Sequence, residues 1–234
     1  MIRLYVTCDL FSSAPITFTD NQVHYLLHVM RISKDENIAV FNGKDGEWSA
    51  KIQDIGKHNV RATCQSQLRA QEPEQNAVLY FSPIKKEAMA FLVQKATELG
   101  VSKFCPVIMQ RTVAPLPKAD KMFLQAVEAA EQSERLSVPT ICPPISFQEL
   151  FSNWPAECPL TYFNERGTTD SFSQAHIGDS LLIGPEGGFA PQELEKLSSL
   201  PFAHSLNLGK RILRAETAAL VALTLWNQAH QWKK

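Results

Sequence analysis

Leu181-Leu182-Ile183-Gly184-Pro185-Glu186-Gly187-Gly188-Phe189 is an apolar strand that breaks into a glycine-rich turn. Further on, Leu208-Gly209-Lys210-Arg211-Ile212-Leu213-Arg214-Ala215-Glu216-Thr217-Ala218 reads as a glycine-bearing loop that runs straight into a helix. Glycine at the end of a strand removes Cβ, so a ligand can lie directly on the backbone. Two such loops close in sequence predict a site walled by main-chain amides and carbonyls.

Upstream of these loops, strands and helices alternate. Strands are predicted over Ala77–Phe81, Lys103–Met109, Pro139–Cys142, Pro159–Phe163, Asp179–Ile183 and His204–Leu208. Helices are predicted over Glu87–Leu99, stopped by Gly100, and over Ala119–Arg135, with a closing helix over Arg214–His230. Ser146 and Glu149 form a capping box for a short helix, and Pro191 fits the first turn of another. Such alternation predicts an α/β fold, a mainly parallel sheet covered by helices. Val127, Ala130, Leu220, Val221, Leu223 and Leu225 read as core.

Residues 1–72 read differently. Asn37–Phe41 is a strand, Asn42-Gly43 and Asp45-Gly46 are turn signals, and Glu47–Asp54 alternates apolar and polar. Asn59–Cys64 is placed beside it, and Asp20–Met30 reads as a helix with Val23, Leu26, Leu27 and Met30 on one face. Several short strands in so few residues predict a small β-barrel domain. Gln71–Asn76, polar and proline-containing, is the expected linker, giving domains over 1–72 and 73–234.

The chain has 234 residues and a net charge of −1. Residues 1–72 carry eight basic and eight acidic groups, the rest fifteen and sixteen. Neither part has the basic excess of a protein that grips bare nucleic acid. No apolar run is long enough to span a membrane, and the N-terminus lacks the apolar core of a signal peptide. Five dispersed cysteines without a CxxC pair suit a reducing cytosol, so a cytoplasmic location is expected. His24 and His28 are spaced i, i+4, but no third ligand accompanies them and no metal is expected.

In open α/β sheets ligands bind outside the carboxyl ends of strands. Three such ends carry the candidate chemistry: Phe163-Asn164-Glu165, Gly184–Phe189 and Leu208–Leu213. No P-loop is present and no GxGxxG follows the first strand, which argues against a dinucleotide oxidoreductase. Glu216 in the first turn of the last helix suits the helix dipole. Arg214 does not, so a phosphate or a developing negative charge is expected to require it. Glu128, Gln132 and Arg135 fall on one helical stripe, either as a solvated face or as a functional one; Arg111, after a strand end, is either a phosphate contact or surface decoration.

Taken in order, Gln94–Gly100, Glu128-Ala-Ala-Glu-Gln-Ser-Glu-Arg135, Ile183–Phe189 and Leu208–Ala218 resemble the RsmE-like 16S rRNA uridine-N3 methyltransferases of the SPOUT superfamily. His24-Tyr-Leu-Leu-His-Val-Met-Arg31 resembles the family's HxxxVLR-like segment, with Met30 where leucine is expected. The resemblance covers nearly the whole chain. It implies a PUA-like β-barrel followed by a SPOUT methyltransferase domain with a C-terminal trefoil knot, a homodimer, and S-adenosylmethionine (SAM) as methyl donor.

By position it implies that Phe163, Asn164, Glu165, Ile183, Gly184, Pro185, Gly187, Gly188, Asn207, Leu208, Gly209, Ile212 and Leu213 line the SAM site. Arg214 or Arg211 would stabilise the deprotonated uridine and Glu216 would act as base. Arg31, Arg111 and Arg135 would contact RNA. The implied substrate is 16S rRNA within the 30S subunit. The alternatives are a SPOUT enzyme acting on tRNA or a ribose 2′-hydroxyl, and a non-catalytic RNA-binding or assembly factor.

Overall fold

The computed structural model describes residues 1–73, 77–165 and 177–230. Of the expected linker, Glu74-Gln75-Asn76 lies outside the described residues. The chain divides into two compact units: Met1–Pro73 with Ala130–Val138, and Glu74–Ala129 with Pro139–Lys234. The sequence reading, with its cut after residue 72, did not foresee the excursion of 130–138 into the first unit.

In the first unit, β1 (Arg3–Tyr5), β2 (Pro15–Ile16), β3 (Asn37–Phe41), β4 (Glu47–Ile55) and β5 (Val60–Arg69) form a sheet ordered β1-β3-β4-β5-β2. The period-2 pattern of β4 puts Ala50 and Ile52 into a core with Leu4, Ile38, Val40 and Ala62. The sheet wraps this core, and the helix predicted over 20–30 caps it. That helix is α-helical only over α1 (Asp20–His24), opened by the capping box of Thr19 and Gln22. Tyr25–Val29 continues as a π-turn, closed by Met30 N–H donating to the Tyr25 carbonyl at 2.9 Å. The wider turn buries Leu26 completely but leaves Met30 41% exposed, so Met30 does not share the apolar face.

The helix predicted to run to Arg135 ends earlier. α3 (Ala119–Gln132) stops because Glu134 turns left-handed, at φ +59°, and Arg135 N–H bonds back to the Ala130 carbonyl. Arg135 therefore leaves the stripe of Glu128 and Gln132. The freed helix-end carbonyls are taken by Arg3, which donates to Ala130 O at 2.8 Å and also bonds Arg135 O. Arg69 donates to Glu134 O at 2.8 Å.

Both arginines also pair with buried Glu47, and Arg3 lies 3.8 Å over the Phe41 ring. Burial alone would raise the Glu47 carboxyl, but hydrogen bonds from Arg69 and Arg3 outweigh it and hold it below its ordinary value of 4.5. A depressed folded-state pKa stabilises fully above the unfolded value and is lost as pH falls through the folded one. Glu47→Gln is expected to cost ~2 kcal/mol at pH 7, the scale of a charged hydrogen bond. In urea titrations the gap to wild type should narrow as pH falls below 4.5; a gap constant with pH would contradict the assignment.

Among the described residues of the second unit every strand pairing is parallel. The strands are β6 (Ala77–Phe81), β7 (Val101–Ile108), β8 (Thr140–Ile141), β9 (Ile145–Ser146), β10 (Leu160–Phe163), β11 (Ser180–Ile183) and β12 (Ala203–Leu206). Their order is β12-β10-β11-β6-β7-β8, with β9 also on β7. Connections run outward from β6 toward β7 and β8 on one side, while β10–β12 lie on the other. This is a topological switch, where such sheets open a crevice.

The described helices of the unit are α2 (Lys86–Glu98), the Ala119–Ala129 part of α3, α4 (Phe147–Leu150), α5 (Pro191–Ser199) and α6 (Ala215–His230). Gly100, at φ +90°, ends α2 as expected, and the Ser146–Glu149 capping box opens α4. The short β9 was not foreseen. On α6 the buried face is Ala215, Ala219, Ala222, Leu223, Trp226 and Asn227. Of the six residues read as core, Ala130 and Leu223 are fully buried, whereas Val127, Leu220, Val221 and Leu225 are half-buried. All five cysteines are free thiols, and burial pushes Cys64 up to about 11.

Candidate functional site

Parallel pairing brings the carboxyl ends of β6, β7, β10, β11 and β12 to one side of the sheet, and a cavity of about 750 Å³ opens there. It is walled by Phe163–Glu165 after β10, Ile183–Phe189 after β11, and Leu206–Gly209 with Arg211–Glu216 after β12. Every residue expected to line a cofactor site falls on this wall, as do Arg211, Arg214 and Glu216.

Backbone bonds fix the three ends. Asn164 N–H donates to Leu206 O at 3.0 Å, and the Asn207 amide donates to Glu165 O at 3.1 Å. The Asn207 side-chain oxygen accepts from Gly209 N–H at 2.8 Å, a side-chain turn that presents the Gly209 loop. Gly188 N–H closes the preceding turn onto Pro185 O at 2.8 Å.

Backbone conformations that favour glycine occur at two places on this wall. Gly188 has φ +70° and Gly209 has φ +112°, conformations that side-chain-bearing residues rarely hold. A Cβ built on Gly209 would meet nothing within 4 Å, and one on Gly188 would meet only Glu165 Oε1 at 3.7 Å. The peptide there faces open cavity. This fits a ligand laid against main chain, with Leu208, Ile212 and Leu213 as apolar neighbours.

Arg214 immediately precedes α6, its carbonyl accepting from Ala218 N–H at 2.8 Å. Its exposed side chain has no hydrogen-bond or ion-pair partner among the described residues. Half-buried Glu216 follows in the first turn of that helix. Among the described residues no group of three or more His, Cys, Asp or Glu side chains is arranged to hold a metal ion. His24 and His28 sit with ring centroids 4.7 Å apart.

The residues expected to contact RNA fare differently. Arg111 lines the cavity, but its Nη1 donates to Gly187 O at 2.9 Å and Phe189 O at 3.2 Å. Arg31 is exposed, at φ +52°, and belongs to the first unit. Arg135 also belongs to that unit and donates to Ser137 Oγ at 3.1 Å.

The sequence reading missed Lys85, Glu87 and Ala88, which enter the wall from the start of α2. Glu186 and Phe189 stood in the quoted stretch but were left out of the donor-lining set; both line the wall. Lys85 has no local signal: it reaches the site only because β6 lies beside β11.

A family model described as RNA methyltransferase domain matches residues 71–227, and one described as RNA methyltransferase PUA domain matches 18–63. A Rickettsia conorii protein named ribosomal RNA small subunit methyltransferase E is 33% identical, over 94% of this chain and 93% of its own. The chain belongs to the ribosomal RNA small subunit methyltransferase E family. Another member, from Bacillus subtilis, is 31% identical over 89% of this chain and 88% of its own. A crystal structure of the Neisseria gonorrhoeae member bound to S-adenosyl methionine superposes with a TM-score of 0.86. It is 29% identical, covering 97% of each chain. Membership accounts for both units: a curled N-terminal sheet of PUA type and a parallel methyltransferase sheet.

Proposed function

We propose that this protein is a SAM-dependent ribosomal RNA methyltransferase of the small subunit, and that it methylates N3 of a uridine in 16S rRNA. The observation that carries the reading is the cavity of uncovered peptide at the strand ends, in a chain whose Neisseria relative was crystallised with SAM. The finer parts of the proposal are the uridine N3 target, the 30S subunit as substrate, a homodimer, a trefoil knot at the C-terminal end, and work in the cytoplasm. Residues 1–72 are proposed to position RNA and 73–234 to carry the chemistry. A net charge of −1 supports a folded ribonucleoprotein target over bare RNA. Half-exposed Leu220, Val221 and Leu225 on α6, with exposed Phe123 and Leu124 on α3, support a second copy covering them.

The segments Phe163–Glu165, Ile183–Gly188 and Asn207–Leu213 would hold the donor. When bound, SAM supplies a methyl carbon activated by a sulfonium. What remains for the chain is alignment and proton chemistry. Uridine N3 attacks well only after losing its proton, which spreads charge over O2 and O4. The Arg214 guanidinium, with Arg211 behind it in sequence, would stand beside those oxygens, favour the anion and stabilise the developing charge. Glu216 would take the N3 proton, directly or through a water. N3 lies on the pairing edge, so the base must enter unpaired or flipped. Arg31 and Arg135 are proposed phosphate contacts.

The test is methyl transfer from labelled SAM to 30S subunits of a methylation-deficient strain, with naked 16S rRNA in parallel, followed by nucleoside mass spectrometry. The expected product is N3-methyluridine, with 30S preferred. Label on a ribose hydroxyl or only on tRNA would overturn the reading.

A further inference from the structure

A loop of Gly-Pro-Glu-Gly-Gly has few side chains with which to hold its own shape, and glycine loses more freedom on ordering than any other residue. Something outside the loop must fix it. The turn after β7 does so. Met109 N–H donates to Thr112 Oγ1 at 2.8 Å, and Thr112 N–H donates back to Met109 O at 3.0 Å. Thr112 Oγ1 also lies 2.8 Å from the Oγ of buried Ser82, whose N–H donates to Ile183 O at 3.1 Å. This ties the turn to the end of β11, where the glycine loop begins.

Two charged side chains complete the clamp. Glu193 is 6% exposed; one carboxylate oxygen accepts Gln110 N–H and the other Ala190 N–H, each at 2.8 Å. Next to it Arg111 Nη1 reaches Gly187 O and Phe189 O, and its stem lies 3.5 Å from where a Gly187 Cβ would stand. Carbonyl and carboxylate bonds to charged partners are the stronger kind; three of these four hold the second half of the loop, at Gly187, Phe189 and Ala190, and the fourth ties Glu193 to Gln110.

We infer that Arg111 and Glu193 are positioning residues that hold the Gly184–Ala190 loop in its donor-accepting shape, so that Arg111 governs SAM affinity and is not an RNA phosphate contact. The inference rests on the reading that this loop holds SAM. It replaces the RNA role first expected for Arg111. Lysine at 111 would keep the charge, but its shorter stem and freely rotating ammonium replace the planar, fixed Nη1 from which both carbonyls accept. Glutamine at 193 offers one oxygen to two N–H donors and turns an NH₂ toward the other.

Calorimetry with SAM alone, on the full-length protein without RNA, tests this beside initial rates on 30S subunits. Arg111→Ala should raise the SAM Kd about tenfold or more, the scale of a lost charge-assisted bond. Arg111→Lys should raise it about threefold, the scale of a partly kept one. Glu193→Gln should weaken SAM binding in the same direction. KM for 30S at saturating SAM, and its salt dependence, should be unchanged in all three. A lost phosphate contact would instead raise that KM and lower the salt slope by roughly one. Should Arg111→Ala not fold, Arg111→Lys decides. An unchanged SAM Kd in the folded arginine variants overturns the inference, whatever happens to the RNA terms. Wild type that binds no SAM overturns the functional reading, and this inference with it.

Discussion

Arg214→Ala is expected to lower turnover on 30S subunits by about 10²–10³-fold, the cost of removing one preorganised donor to a developing negative charge, while leaving the SAM Kd unchanged. The reason lies in an imbalance. A cation at the start of a helix meets the positive end of the dipole, and the Arg214 side chain has no partner among the described residues to offset this. It faces the cavity, so its partner is to be sought there. Because the charge it would meet forms only on the acceptor base, donor binding should not register its loss. Arg214→Lys keeps a charge without the planar fork and should recover part of the rate. Wild-type turnover in Arg214→Ala would remove the residue from the chemistry. A parallel loss of SAM affinity would move its role to donor binding.

Gly209→Val should abolish measurable SAM binding while barely changing thermal stability. At φ +112° a β-branched residue is a backbone outlier, costing of order 1–3 kcal/mol. The loop is exposed and nothing in the protein lies within 4 Å of the new Cβ, so the loop can relieve the strain by moving. That movement destroys the cradle and leaves the core untouched. The added side chain would also project into the cavity where the donor is proposed to lie. Calorimetry and a melting curve together check this: intact SAM affinity would show that the donor does not lie on this peptide.

Much of the second unit was legible because its signals are local. Gly100, Pro191 and the Ser146–Glu149 box each mark a helix end through backbone geometry that operates within a few residues. The strand before the first glycine loop was legible as an apolar run, and the strand-end rule pointed to Phe163–Glu165, Gly184–Phe189 and Leu208–Leu213, which, apart from Lys210, line one wall. Where the reading failed, the hydrophobic period carried no signal of the cause. Met30 lost its place on the apolar face to a single π-turn, which shifts the helical period without changing composition. Arg135 left its stripe because a left-handed Glu134 let Arg3 and Arg69, distant in sequence, claim the helix-end carbonyls. Lys85 joined the wall through strand order, and Glu193 accepts Gln110 N–H only because β7 ends beside α5. Periodicity sees neither.

Uncovered peptide at two glycine loops is proposed to cradle the methyl donor. A crystal of the protein soaked with SAM tests this most directly. Donor density lying against Gly184–Gly188 and Leu208–Leu213, with its methyl group open toward Arg214, is the predicted result; density anywhere away from both loops would contradict the account.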